Sequence, residues 1–420
     1  MKPAIRAFLA VSWLLHPDSV GACFARDLQP ASAHSDRTVI LISMDGIGGE
    51  LLHRARTPTL DAIARRGVLA LRLSPPFPSN TFPSNATIAT GVFPDKHGIV
   101  NNKFVDRKLG RYDRERKASW LRAEPIWVTA ERQGVKTGVI MWAASEGDWR
   151  GTLPSFSMRF NRRTGDGRKV DRILDWLSLP PPARPRLILA WFRASDEAAH
   201  RHGPDSREAS EQLEETDSAL ERLERGLARR GLAHRVTLMI VSDHGLIPLH
   251  RGVNLARVLK SARVPGMVAS AGAVSHVYLD APWELDRARR ALQSEKGFRV
   301  YDREALPPEW RAQAEGRVGD LVAVAEPGVY FSEDLSERSS PAPRNRRGGH
   351  GYPPGTPGMD GILAGTGPGL RSGVRIAIAR AVDINPTICF LLGIRPAVGI
   401  DGRAIESILA PARAREMERS

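Results

Sequence analysis

Three runs of apolar residues each lead into an acidic residue, and this pattern narrows the fold more than any other feature of the chain. Thr38–Met44 runs into Asp45-Gly46, Leu187–Phe192 runs toward Asp196, and residues 236–242 run into Asp243-His244. A short, continuous apolar run is a strand covered on both faces. Helical stretches lie between these strands. Residues 125–133 have Pro125 at the start and Gly134 after the end, as a helix prefers. Residues 206–230 place Leu213, Leu220, Leu223 and Leu227 on one face with charges opposite. Strands alternating with helices predict an α/β fold, a mostly parallel sheet with helices on both faces. Ligands of such sheets gather beyond the carboxyl ends of the strands, where the acids fall.

A chain of 420 residues has room for one large catalytic domain, expected over residues 36–420, with a subdomain inserted in it. The stretch 249–345 fits the insertion. It reads as a strand (275–279), a helix (283–294) and strands near 298–301 and 321–324, broken by Pro307-Pro308, and offers no candidate ligand. We read it as a cap beside the site. Residues 336–349 are rich in Ser, Pro, Arg and Gly and predict a mobile loop leading into His350. Residues 383–392 predict a capped helix closed by Gly393.

The chain carries 61 Lys+Arg against 47 Asp+Glu, a net charge of +14. That excess favours anionic small molecules or surfaces by long-range attraction, or is simply a solvated basic surface. The arginines are dispersed, and no zinc-finger or RNA-binding signature is present, so no specific nucleic-acid partner is expected. Lys2 and Arg6 precede a short apolar run at residues 7–15, which reads as a secretory signal occupying residues 1–33. Cleavage is expected between about residues 22 and 33. Val20-Gly21-Ala22-Cys23 resembles a lipoprotein signal, and Ala31-Ser32-Ala33 an ordinary cleavage site. The alternative is a buried N-terminal helix. Export to the periplasm or beyond is the expectation, with membrane attachment only if Cys23 is lipidated. Loss of the signal would leave Cys389 as the one certain thiol, so no intrachain disulfide is expected.

Six metal-ligand candidates and a hydroxyl fall in five clusters: Asp45; Thr81; Asp196 with His200; Asp243 with His244; and His350. Each has an ordinary explanation when taken alone. Asp45 could cap a turn, Asp196 and His200 could be a surface pair one helical turn apart, and His350 could be a solvated loop residue. Together, three carboxylates and three imidazoles suit two closely spaced zinc ions. Thr81 adds a hydroxyl that zinc could make nucleophilic. The set points to hydrolytic phosphoryl transfer at a two-metal site.

Several spaced motifs, in order, resemble the nucleotide pyrophosphatase/phosphodiesterase family, or type I phosphodiesterases, of the alkaline phosphatase superfamily. They are Ile42-Ser43-Met44-Asp45-Gly46, Thr81-Phe82-Pro83, the stretch from Thr90-Gly91 to Asn101-Asn102, and Glu124-Pro125-Ile126-Trp127. Asp196-x-x-x-His200-x-x-Gly203-Pro204, Asp243-His244-Gly245, His350-Gly351-Tyr352 and Asp383-Ile384-x-Pro386-Thr387 complete the set. The resemblance covers about residues 38–403 and implies an alkaline-phosphatase-like fold. It implies one zinc on Asp45, Asp243 and His244 with Thr81 at its open side, and a second on Asp196, His200 and His350. Asn102 matches the family's phosphate-binding Asn. The implied activity is hydrolysis of a phosphodiester or pyrophosphate bond through a phospho-threonine, on a small anionic diester, nucleotide or lipid head group. Phe82 and Trp142 are candidates for the pocket holding the second ester group.

Two departures stand out. Ser84-Asn85 occupies the place of the family's common Asn-His, and Pro353 that of the Asp often following the last His-Gly-Tyr. The alternatives are a phosphomonoesterase or phosphonate hydrolase on the same fold, and a metal-stabilised binding protein without catalysis. Same-fold monoesterases usually carry a Lys-x-Arg pair for the extra charge, and Lys117 and Arg122 are not in that arrangement.

Overall fold

The computed structural model describes residues 37–342 and 344–411. The secretory-signal expectation lies outside the described residues. The main sheet is built from β1 (Thr38–Met44), β2 (Val68–Ser74), β3 (Thr137–Ile140), β4 (Phe156–Met158), β5 (Leu187–Phe192), β6 (Val236–Val241), β7 (Gly361–Thr366) and β8 (Val374–Ile376). Their order is β8-β2-β7-β6-β1-β5-β3-β4, with Ala379–Arg380 as a ninth, short strand on β2. Neighbours from β6 to β4 run parallel, and β7 is antiparallel to both β2 and β6. The fold is therefore mixed α/β with a large, mostly parallel sheet.

Every residue of β1, β5 and β6 is buried, as their unbroken apolar sequences require. Ser43 lies level with both Trp191 and Val241, so these three strands end side by side. Helices α1 (Thr81–Thr90), α2 (Asp166–Leu177), α3 (Ala194–His202), α4 (Arg207–Arg229) and α5 (Ile384–Leu392) are among those that surround the sheet. Gly393 closes α5 in the left-handed conformation, with φ 69°. The Asp383 carboxylate does not cap the helix amides; it accepts from Arg380 and from the Arg403 amide.

Most of the stretch read as an insertion is built around a separate four-stranded sheet, Gly266–Ala271, Val274–Leu279, Leu321–Ala325 and Phe298–Asp302 in spatial order. Its core joins Val253, Leu259, Val277, Leu292, Phe298 and Phe331 and is distinct from the main one. Residues 336–349 do not behave as a free loop. Ser339–Pro341 pairs with Arg251–Val253, and Gly348–Gly349 pairs with Ile247–Pro248. Backbone pairing offsets the entropy that the composition of this segment would favour.

Candidate active site

The site sits beyond the carboxyl ends of β6, β1 and β5. Asp45 follows β1 directly, and its amide donates to the Phe192 carbonyl at 2.7 Å. Asp243 and His244 follow β6. Asp196 and His200 lie one turn apart on α3, and Nε2 of His200 is 3.4 Å from Oδ1 of Asp196. His350 arrives on the Gly348-Gly349 segment, which is strapped to α3: the Arg347 amide donates to the His200 carbonyl at 2.7 Å. Ligand atoms of Asp45, Asp243 and His244 lie within 4.8 Å of one another, and so do those of Asp196, His200 and His350. The rings of His244 and His350 stack at 3.8 Å, so the two groups adjoin.

Each imidazole is turned the same way. Nδ1 of His200, His244 and His350 faces the carbonyl of Gly348, Gly245 and Ser79 at 2.7, 3.1 and 3.2 Å. A proton on Nδ1 satisfies each carbonyl and leaves the Nε2 lone pair for a metal. The carboxylates are held by one side as well. Oδ2 of Asp45 accepts from the Trp191 indole at 3.1 Å, while Oδ1 is buried without a partner. Oδ1 of Asp196 is likewise buried and unpartnered. Oδ2 of Asp243 accepts from Asn85 at 2.9 Å, and its Oδ1 from the Gly46 and His244 amides.

So much buried negative charge is costly without a cation. Burial, then Asp196 and Asp243, hold the Asp45 carboxyl well above the usual carboxylate range. Burial pushes Asp243 up to about 7. Burial also pulls His244 down to about 4 and His350 well below its ordinary value, which keeps both rings neutral and able to donate a lone pair. Orphaned oxygens, oriented Nε2 atoms and a mixed N/O set fit two divalent cations of the zinc type.

Thr81 is the first residue of α1, and its hydroxyl lies 3.2 Å from Nε2 of His244. The next amide, of Phe82, donates to Oδ1 of Asn102 at 2.9 Å. Asn102 is fixed in turn: its amide donates to Asn101, and its carbonyl accepts from Arg114. Asn80 and Asn101 reach the Ala271 and Val274 carbonyls, so the hairpin of the second sheet backs this corner of the site.

Asn85, Trp191 and Asn101 emerge only from the structure. Asn85 is one of the departures from the family pattern, yet it holds both Asp243 and the Thr81 carbonyl. Trp142 requires a correction. It is only 1% exposed, and its indole donates to the Asn85 carbonyl at 3.1 Å. It supports α1 from beneath and has no face to offer a substrate. Phe82 is also buried, edge-on to Tyr112 at 6.2 Å.

The profile of the family described as "Type I phosphodiesterase / nucleotide pyrophosphatase" matches residues 39–353. The chain belongs to this family. It is 31% identical over 373 residues to a pyrophosphatase/phosphodiesterase of Schizosaccharomyces pombe, covering 84% of this chain and 76% of that one. It is 26% identical over 374 residues to human ectonucleotide pyrophosphatase/phosphodiesterase family member 1, covering 85% of this chain but 40% of the relative. The structure of human ectonucleotide pyrophosphatase/phosphodiesterase 5 superposes with a TM-score of 0.81 at 25% identity, over 89% of this chain and all of that one. An inactive threonine-to-alanine form of the mouse counterpart, solved with AMP, gives a TM-score of 0.81 at 24% identity, with the same coverage. Membership supports phosphodiesterase or pyrophosphatase chemistry at a metal-binding site.

Proposed function

We propose that the chain is a two-zinc hydrolase of phosphodiester or pyrophosphate bonds, acting through a phospho-threonine on Thr81. The observation that carries this reading is the Thr81 hydroxyl, 3.2 Å from the Nε2 that His244 would turn to a metal and beside two complete ligand triads. Asp45, Asp243 and His244 would hold one ion, and Asp196, His200 and His350 the other. When bound, the pair supplies Lewis acidity and neutralises charge on the phosphorus oxygens. Oγ1 of Thr81 forms the new bond to phosphorus as the bond to the leaving oxygen breaks. Water then cleaves the phospho-threonine and restores the hydroxyl. Asn102, its Oδ1 tied to the Phe82 amide, has Nδ2 to offer a non-bridging oxygen as charge builds. The S. pombe and human relatives are named as pyrophosphatase/phosphodiesterases, and the mouse structure holds AMP, which supports nucleotide-type substrates.

A diester carries one charge at phosphorus and a monoester nearly two, and no Lys-x-Arg pair serves the second. On purified, zinc-loaded protein, kcat/KM for bis(p-nitrophenyl) phosphate should exceed that for p-nitrophenyl phosphate. A ratio well below one would favour a monoesterase on the same fold. Thr81→Ala should abolish turnover while leaving about two zinc ions per chain by elemental analysis. A Thr81→Ala protein with normal rates would make water the direct nucleophile. Export is part of the same proposal: fractionation should recover a chain without Met1 outside the cytoplasm, and a cytosolic chain that keeps Met1 would refute it.

A further inference from the structure

Three asparagines meet where the second sheet touches the site. Asn80, which precedes Thr81, and Asn101, which precedes Asn102, are fully buried, and Asn102 is 4% exposed. Nδ2 of Asn80 donates to Oδ1 of Asn101 at 2.7 Å, and the same oxygen accepts from the Asn102 amide at 2.8 Å. Oδ1 of Asn102 in turn accepts from the Phe82 amide at 2.9 Å. Residues 80–82 and 101–102 are thus joined on either side of Thr81, in a closed ring that includes the Thr81 backbone. The ring is anchored from outside. Nδ2 of Asn101 donates to the Val274 carbonyl at 3.1 Å, and Nδ2 of Asn80 to that of Ala271 at 3.3 Å. Ala271 and Val274 are the closing pair of a two-residue turn, Gly272-Ala273, at the end of the second sheet. That turn is itself fixed: the Ala273 amide donates to the His350 carbonyl at 3.1 Å, and a Cβ on Gly272 would lie 2.4 Å from the same oxygen.

A buried amide costs free energy unless its groups are paired. Asn101 meets that cost with three bonds, and all three lead to the catalytic corner or to the turn behind it. An apolar side chain would fill the space without that cost, so packing alone does not call for an asparagine there. What the amide supplies is direction. A fully paired polar network in a low-dielectric interior holds its members in one arrangement. Asn102 commits its Oδ1 to the Phe82 amide, which leaves Nδ2 as its side-chain donor. The aim of that donor depends on the Asn102 backbone, whose amide is held by Asn101.

We propose that Asn101 is a positioning residue for phosphoryl transfer. It aims Asn102 at the non-bridging oxygen and ties the segment that carries Thr81 to the turn at Gly272-Ala273. This rests on the phospho-threonine reading above and adds a residue to it. Asn101 acts through Asn102 and not by contact with the phosphorus. Misdirection of the Asn102 donor is felt most where charge has built up, so loss of Asn101 falls on kcat more than on KM.

The test is a double-variant cycle on zinc-loaded protein with bis(p-nitrophenyl) phosphate. Asn101→Ala should lower kcat by about 10- to 100-fold and change KM by less than about threefold. Combined with Asn102→Ala, it should be no slower than Asn102→Ala alone, within about threefold, because it acts on a donor already gone. Asn101→Asp keeps the oxygen that accepts from Asn80 and Asn102 and loses only the donor to Val274, so it should recover most of the loss. Zinc content and melting temperature check that each variant is folded. Asn101→Ser, whose oxygen stops a bond short, takes the place of an alanine variant that is not. A kcat within about twofold of wild type in the Ala or Ser variant overturns the proposal. So do losses that multiply in the double variant, which would make Asn101 a structural residue independent of Asn102. An Asp variant no faster than the Ala one overturns it as well. A wild type that prefers p-nitrophenyl phosphate sinks the diesterase reading alone, since the same cycle is then run on that ester. If neither ester is cleaved, both fall.

Discussion

At the scale of single residues, the site is a balance between buried carboxylates and the cations they await. Its sign can be tested without substrate. In metal-free protein, His244, lowered to about 4, makes stability rise with pH up to the ordinary imidazole value, because the unfolded chain takes the proton there. Asp243, raised to about 7, acts in the opposite sense from the ordinary carboxylate value up to about 7, because the folded chain keeps its proton. Between the imidazole range and the ordinary thiol value, the raised carboxylates are the groups that chiefly differ between the two states. Asp45, raised well above its ordinary value, holds its proton in the folded state after the unfolded chain has released it. Stability should therefore fall as pH rises, by at most about 1.4 kcal/mol per pH unit for each such proton. With zinc bound the cation replaces the proton and the fall should vanish. Urea midpoints of chelated and zinc-loaded protein, measured at pH values of about 7.5 and 8.5, decide this. Parallel curves would mean that the carboxylates are not coupled as described. Asn85→Ala removes the donor to Asp243 and should weaken zinc binding about 10- to 100-fold in competition with a chromophoric chelator. Unchanged affinity would make that hydrogen bond incidental.

At the scale of elements, the ligands are brought together because β6, β1 and β5 are adjacent, parallel and end level, so three acids separated widely in sequence share one edge. The turn after β6 is tightly packed. A Cβ on Gly245 would lie 2.1 Å from the Gly358 carbonyl oxygen, a backbone atom that cannot swing aside. Gly245→Ala should cost about 1–3 kcal/mol in stability. It should also reduce bound zinc toward one ion per chain, since the displaced turn carries Asp243 and His244. Gly167→Ala, where a Cβ meets nothing within 4 Å, is the control and should keep both ions. Equal zinc content in the two variants would mean that the turn adjusts freely. The three central strands and the four acidic or histidine clusters were legible in the sequence because continuous burial and Asp-Gly or Gly-His-Gly punctuation leave local marks. The antiparallel β7 was not, since Gly361 and Gly365 dilute its apolar run. The supports of the site were not either. Asn85 meets Asp243 across 158 residues and Trp191 meets Asp45 across 146, and an amide or an indole at such distance leaves no periodicity to read. The segment at residues 336–349 departs from a mobile loop for a related reason: its composition favours a loop, and pairing with distant strands orders it.

At the scale of the whole molecule, the two ligand triads draw on segments from Asp45 to His350 and so tie the ends of the main sheet to the strap that returns from the second core. The hairpin at Ala271–Val274 presses on the same corner through Asn80 and Asn101. Metal binding should accordingly stabilise the fold as a unit rather than one local loop. At free zinc about a thousandfold above Kd, each site adds about 4 kcal/mol. For a chain of this size, with an unfolding entropy of about 2 cal/mol/K per residue, two sites should raise the melting temperature by about 10 °C over chelated protein. Asp243→Ala empties one triad and should remove roughly half of that shift, and His350→Ala, on the other triad, should remove a similar share. The double variant should melt near the same temperature with or without zinc. If chelation leaves the melting temperature of the wild type unchanged, the triads are not occupied by a structural cation. If either single variant alone abolishes the whole shift, the two ions do not bind independently but as one coupled cluster, which the stacking of His244 on His350 at 3.8 Å makes physically accessible.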